Sequence, residues 1–304
     1  MRDNGASTMN ARTVTESTEA DANLFSLLSG RRVFPKRGGH GVGSEKSLPG
    51  TVHSSAGQYV SSVFDLAHNL SNRTMFVSSR QATQLVLRSY NRKTGGKDPY
   101  GVDDGTAKID TFKIKKDDAT AVGQWRDKIA KRPARLSVIE LSGVLDEGLD
   151  GGFRGPKYQK AVRKAFQRVA AIRRSIHKQP EMQGRTLLVV TGTGGAQKAK
   201  GSSRTWAQSY RVPMWVTGPG VPAEERGVVF SRQRLLDLIA SLAQGLLDEP
   251  ALLRQRLVDQ DALLGHRLVD RVGADRAVQG PAAFDDEGFH QGVGDEGFRH
   301  QDRA

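Results

Sequence analysis

Cysteine is absent from all 304 residues. That excludes disulfides, a thiolate nucleophile and any Cys-ligated zinc, while leaving the redox compartment open. Long apolar runs are absent as well, and none approaches the roughly 20 residues that a membrane-spanning helix requires. The opening MRDNGASTMNARTVTESTEADAN is polar and lacks the apolar stretch of a signal peptide, so the expected location is cytoplasmic by default. The seven histidines, His40, His53, His68, His177, His266, His290 and His300, include no pair at i and i+4, the spacing of a helical zinc motif. Only His40, inside RGGHGVGS, stands in a setting that points to a site, and a lone loop histidine is ordinarily solvated. Aromatic residues are 6% of the chain, which leaves little interleaving with the basic residues for stacking on bases.

What is present is a basic chain of ordinary globular composition. Lysine and arginine number 46 against 33 acids, a net charge of +13. That balance favours loose association with nucleic acid or anionic surfaces without specifying either, and a scattered basic surface accounts for it. The charge is uneven. Residues 244–304 hold seven Arg against twelve Asp and Glu, so this stretch carries −5 and the remainder +18. From residue 251 the chain uses only eleven residue types, and it repeats RLVD and a DEGF-based phrase. Two imperfect copies are too few for a solenoid. The expected organisation is a disordered start at 1–12, one domain over 13–247, and a biased tail over 248–304, partly helical and then disordered.

Between those limits apolar patterning alternates between strand and helix periods. A helix is expected over 59–70 with Val60, Val63, Phe64 and Ala67 on one face, then strands in RTMFVSS (73–79) and KIDTFKI (108–114). Asp117 and Asp118 head a helix to about residue 130, and RLSVIEL (135–141) is a strand. Pro156 opens a long helix with the stripe Tyr158, Val162, Phe166, Val169, Ile172 and Ile176. TLLVV and VPMWV read as buried strands, and 232–247 as a closing helix. The alternation predicts an α/β fold, a largely parallel sheet with helices on both faces. Its site belongs beyond the carboxyl ends of the strands, where the turns 142–155 and 191–210 fall.

Neither turn carries an obvious metal set. Asp146, Glu147 and Asp150 lie within five residues on a glycine-rich loop. They are candidates for a hard cation, but their spacing fits a solvated acidic loop better. Gly192, Gly194 and Gly195 precede Lys198 and Lys200 without the phosphate-loop pattern. Near the start, Thr15, Ser17 and Thr18 precede an apolar segment. Thr18 is either a nucleophile, which needs an activating base, metal or helix dipole, or a helix cap beside Asp21.

These signals fall in a recognisable order. SLLSGRRVFPKRGGHGV (26–42), QYVSSVFDLAHNLSNRTMFVSSR (58–80), RTLLVVTGTGG (185–195) and YRVPMWVTGPGVP (210–222) resemble the alkaline-phosphatase superfamily. The resemblance is strongest to its type I phosphodiesterase and nucleotide pyrophosphatase branch, extends to the related sulfatases, and covers roughly 13–247. It implies a phosphoric or sulfuric ester hydrolase. Two divalent metals, often zinc, would activate a Thr or Ser nucleophile and clamp the group transferred.

The ligand positions depart from that pattern. Where the family has a metal-binding Asp-His turn, this chain has Thr193 and Gly194. The later His has no counterpart between Ala196 and Ser209. In the Asp-x-x-Gly-His loop the two ligands become Leu145 and Leu149, and Asp146 takes the role only by a one-residue slip. The nucleophile position counts back to Ala20, and Thr18 reaches it only with two extra residues. No strand with the family's first Asp is expected before Thr13. The resemblance thus implies a degenerate, N-terminally truncated member, with Thr18 as candidate nucleophile, Asp146 as candidate metal ligand, and no cofactor retained. A phosphate-bearing small molecule drawn by Arg31, Arg32, Lys36 and Arg37 is the expected partner. The alternative is a protein that binds nucleic acid or an anionic surface through the cationic 156–178 helix.

Overall fold

The computed structural model describes residues 5–43, 49–99, 106–196 and 207–221, all within the first of the chain's two units, Met1–Arg254. The expected closing helix at 232–247 and the biased tail lie outside those residues.

Three parallel strands form the centre: β2 (Thr74–Ser78), flanked by β3 (Thr111–Ile114) and β4 (Leu136–Glu140). Phe76 stands opposite Phe112 and Val138 in the ladders. Because side chains alternate across a strand, β2 divides its residues between two cores. Phe76, with Phe112, Leu136 and Val138, packs against α1 (Ala20–Ser29), α2 (Val52–Ala56), α3 (Val63–His68) and α4 (Gln84–Tyr90). Met75, Val77 and Ile139 face α5 (Asp118–Lys131) and α7 (Pro156–Lys178). Helices therefore cover both faces, as the α/β alternation predicts, and all five β2 residues are buried.

The helices follow local signals. Asp117 accepts a hydrogen bond from Thr120 N at 2.8 Å, capping α5, which buries Ala121, Val122, Trp125 and Ile129 on one stripe. Pro156 occupies the first turn of α7, whose Ala161, Val169, Ile172 and Ile176 are buried. The predicted 59–70 helix is shorter, because Ser62 and Asp65 form a capping box that starts α3 at Val63. The predicted face of Val60, Val63, Phe64 and Ala67 is buried all the same. In KIDTFKI only Thr111–Ile114 is strand. Ahead of it the Asp110 carboxylate accepts from Thr74 N at 2.8 Å, and Thr74 Oγ1 donates to the Lys108 carbonyl at 2.8 Å. Side-chain bonds replace the ladder there.

Two expectations are corrected, and a second sheet joins the parallel one. The start at 1–12, read as disordered, supplies β1 (Ala6–Arg12), held by pairing with β6 (Arg211–Thr217) rather than by its own apolarity. This strand does precede Thr13, but it carries no carboxylate. The second sheet has the order β1-β6-β5, with β5 at Leu188–Thr191, and β6 runs antiparallel to both neighbours. Finally, the 142–155 loop contains a helix, α6 (Gly143–Gly151). Its Gly148 is required by packing: a Cβ there would lie 2.4 Å from the Phe153 ring.

Candidate functional site

Arg12 ends β1 and Thr191 ends β5, and between these carboxyl ends and α1 lies a shallow cleft. Its lining includes Arg12, Thr13, Asn23, Leu27, Thr191 and Thr193. Asn23 builds its wall: Oδ1 accepts from Val14 N at 3.2 Å, and Nδ2 donates to the carbonyls of Ser17 (3.3 Å) and Glu19 (3.1 Å). One amide side chain thus fixes the 14–19 loop against α1. Across the cleft, a Cβ on Gly194 would sit 3.5 Å from the Thr18 carbonyl oxygen. The fold therefore brings together the Thr18 loop and the glycine turn, two segments far apart in the sequence.

Thr18 itself is half-buried and is not the cap of α1. That position is Glu19, which makes no side-chain capping bond. No hydrogen bond joins the Thr18 hydroxyl to a described residue, so among the described residues no hydrogen-bonded base is in place to take its proton. Asp146 is exposed on α6, and its carboxylate makes no hydrogen bond to a described residue. Asp150 is paired with Lys157 at 3.3 Å, with both side chains about two-thirds exposed. The acidic cluster is therefore a solvated helix face rather than a convergent ligand set. The positions where the resemblance would put metal ligands carry Thr193, Gly194, Leu145 and an exposed Leu149. Among the described residues no group of three His, Asp or Glu could hold a metal ion. The described residues around the cleft do not fit a two-metal centre, since a divalent ion needs several carboxylate or imidazole ligands at once.

His40, expected to be solvated, is fully buried. Its Nδ1 accepts from Val42 N at 3.1 Å, which leaves the proton on Nε2, 2.8 Å from Ser26 Oγ. A nitrogen that already holds its proton donates to Ser26 and cannot act as its base, so the pair ties the 38–42 loop to α1 and is structural. Of the basic residues near it, Arg32 is paired with Glu16, and Lys36 and Arg37 are exposed on a short turn. The basic residue at the edge of the cleft is the exposed Arg12, which sequence reasoning overlooked because it ends a strand of no recognisable apolar pattern.

A second cluster, also missed, occupies the carboxyl ends of the parallel strands. Arg80 Nη1 lies 2.5 Å from Asp21 Oδ1 and 3.7 Å from Glu140 Oε1, with all three side chains about one-tenth exposed. Ser78 Oγ donates to Glu140 Oε2 at 2.7 Å. Burial pushes the Glu140 carboxyl up to about 7, against the lowering effects of the Ser78 bond and the Arg80 charge. Next to it, Asp118 Oδ1 accepts from Ser79 Oγ (2.6 Å), Ser142 N (3.0 Å) and Gly143 N (3.2 Å), joining β2, α5 and α6. No spacing rule anticipates these contacts, which join residues from 24 to 62 positions apart.

No protein-family model matches the chain, and no curated protein sequence does. Solved structures do. Murine ectonucleotide pyrophosphatase/phosphodiesterase 5, in an inactive form in complex with AMP, superposes with a TM-score of 0.55 at 10% identity, over 80% of this chain and 88% of that one. A 2-O GAG sulfatase gives 0.57 at 12% identity, over 80% and 64%. A protein in the alkaline phosphatase superfamily from Vibrio parahaemolyticus gives 0.54 at 12% identity, over 79% and 59%. With its parallel sheet clad on both faces and these three likenesses, the chain has the alkaline-phosphatase-like α/β fold.

Proposed function

We propose that this chain is a divergent member of the phosphodiesterase-like hydrolases. It binds a phosphate-bearing small molecule in the cleft between β1, α1 and the 192–195 turn, without two-metal hydrolysis. The observation that carries this is the chemistry of the cleft. Arg12, Asn23 and the threonines at 13, 191 and 193 line it beside Leu27, Val212 and Met214, and neither a carboxylate nor an imidazole does. The Asn23 amide and the Thr13 and Thr191 hydroxyls already donate to backbone carbonyls, so Arg12 and Thr193 are the groups left to meet a ligand. A guanidinium and a hydroxyl hydrogen-bond an anion well, whereas a guanidinium repels a divalent metal and has no lone pair to offer it. The superposition on a pyrophosphatase/phosphodiesterase holding AMP supports a nucleoside monophosphate as the first ligand to try.

The test is twofold. Calorimetry with AMP should show binding that Arg12→Ala weakens by about tenfold or more, the worth of one charge-assisted hydrogen bond. Assays on p-nitrophenyl phosphate, its bis ester and the sulfate, with zinc, manganese or magnesium, should stay at background. Chelator-sensitive turnover would overturn the reading. Thr18→Ala and Asp146→Ala would then be the variants expected to abolish that turnover.

A further inference from the structure

Independently of the cleft, we infer that the outer face of α7 is a binding surface for a single-stranded nucleic acid. The helix carries eight lysines and arginines and no acid over 23 residues. Lys160, Arg163, Lys164, Arg174 and Lys178 are all exposed, and at 3.6 residues per turn they fall within roughly a 100° arc. Ala161, Val169, Ile172 and Ile176, on the other side, are buried, the two isoleucines in the core that β2 lines with Met75 and Val77. None of these five cations forms an ion pair among the described residues. Elsewhere on the helix, Lys157 pairs with Asp150 at the amino end. From Lys160 to Lys178 the row runs about 27 Å, a length that spans several phosphates of an extended strand. Like charges left unneutralised on a rigid helix repel one another, and a polyanion relieves that repulsion while releasing its own counterions.

The choice of partner rests on a second observation. Phe166, which the apolar stripe predicts to be buried, is 44% exposed and borders the cationic arc. Its ring is held edge-on by Trp215, with centroids 5.3 Å apart and planes at 81°. A pinned, half-exposed ring beside a row of cations is the pairing that single-strand binders use, phosphates on the charges and a base on the ring. A lipid surface fits less well, because an interfacial helix needs a bulky apolar face turned outward, and that face of α7 is buried in the core.

Fluorescence anisotropy of the full chain with a labelled 20-nucleotide single strand tests this. Binding is expected in low salt and should weaken with a log–log slope of about −3.5, five contacts at roughly 0.7 each. The variant K160Q/R163Q/K164Q/R174Q should lose at least tenfold in affinity with an unchanged circular dichroism spectrum, since all four side chains are exposed. Phe166→Ala should weaken the oligonucleotide roughly five- to a hundredfold, the worth of one stacked base, while leaving binding to polyglutamate unchanged. Absence of binding at 50 mM salt would overturn the inference. So would indifference to either variant in a folded protein, or tighter binding to phosphatidylserine vesicles than to the oligonucleotide.

Discussion

Arg80 donates to Asp21 Oδ1 at 2.5 Å, across 59 residues of sequence, with both side chains about one-tenth exposed. The same nitrogen lies 3.7 Å from Glu140, so one guanidinium stands between two carboxylates at the carboxyl ends of the parallel strands. Removing the cation leaves those acids facing each other with little solvent. Arg80→Met is therefore expected to cost about 3–5 kcal/mol, the usual consequence of breaking a buried pair from one side. Urea unfolding measures it, and a loss below about 1 kcal/mol would contradict the assignment.

The pH dependence follows from Glu140. Its carboxyl is pushed up to about 7 by burial, so the folded protein holds a proton that the unfolded chain has released above its ordinary value of 4.5. A raised acid contributes stability that is fully present below pH 4.5 and is lost as pH rises through 7. Stability should therefore fall by about 3 kcal/mol from this group between those limits. Glu140→Gln keeps an acceptor for Ser78 and removes the titration. Its unfolding free energy should be flatter over pH 4.5–7.5 than that of the parent, and parallel curves would rule Glu140 out.

The strands and helices that the sequence made legible are those with a local signature. The runs around Phe76, Val138 and Val190 are apolar, Asp117 caps its helix, and Pro156 opens another. What escaped depends on partners far along the chain. β1 reads as a polar start because Ser7 and Thr8 are buried only through pairing with Trp215 and Met214. α6 reads as a loop because Gly143, Gly148 and Gly151 lower its helix propensity, although Phe153 needs the space at Gly148. Phe166 keeps the helical period yet lies at the margin of the stripe, where periodicity alone does not decide burial. In the candidate site, the glycine turn and the Thr18 loop were visible as separate segments. Arg12, Arg80 and Glu140 were not, since no spacing rule anticipates an ion pair closed by the fold.

Lys108 is fully buried, with Nζ 3.4 Å from Asp98 Oδ2. It lies at the amino ends of the strands, away from the cleft, where Thr74 also binds its carbonyl. Asp98→Asn should destabilise by about 3–5 kcal/mol, because it strips a buried ammonium of its counter-charge. The double variant K108M/D98L should recover most of that loss. Thermal unfolding of the three proteins at one pH compares them, and a double variant no better than the single one would show that the pair does more than neutralise itself.

Gly194 and Gly195 differ in what surrounds them, and the difference tests the cleft. Among the described residues a Cβ on Gly194 meets the Thr18 carbonyl oxygen at 3.5 Å, an ordinary contact, whereas one on Gly195 would lie 2.2 Å from Gln208 O and 2.6 Å from Arg211 O. Gly194→Ala should therefore change stability by less than about 0.5 kcal/mol, and Gly195→Ala should cost about 2 kcal/mol or more through backbone displacement. Position 194 thus has room for a ligand, and T193D/G194H would place a carboxylate and an imidazole side by side on the turn facing the Thr18 loop. Zinc affinity should rise measurably in calorimetry, since both side chains are ordinary zinc ligands. Turnover should still be missing, because Leu145 and Leu149 supply nothing to a second metal. A double variant that stays folded and binds zinc no better than the parent would mean that this turn is not the counterpart of the family's Asp-His turn.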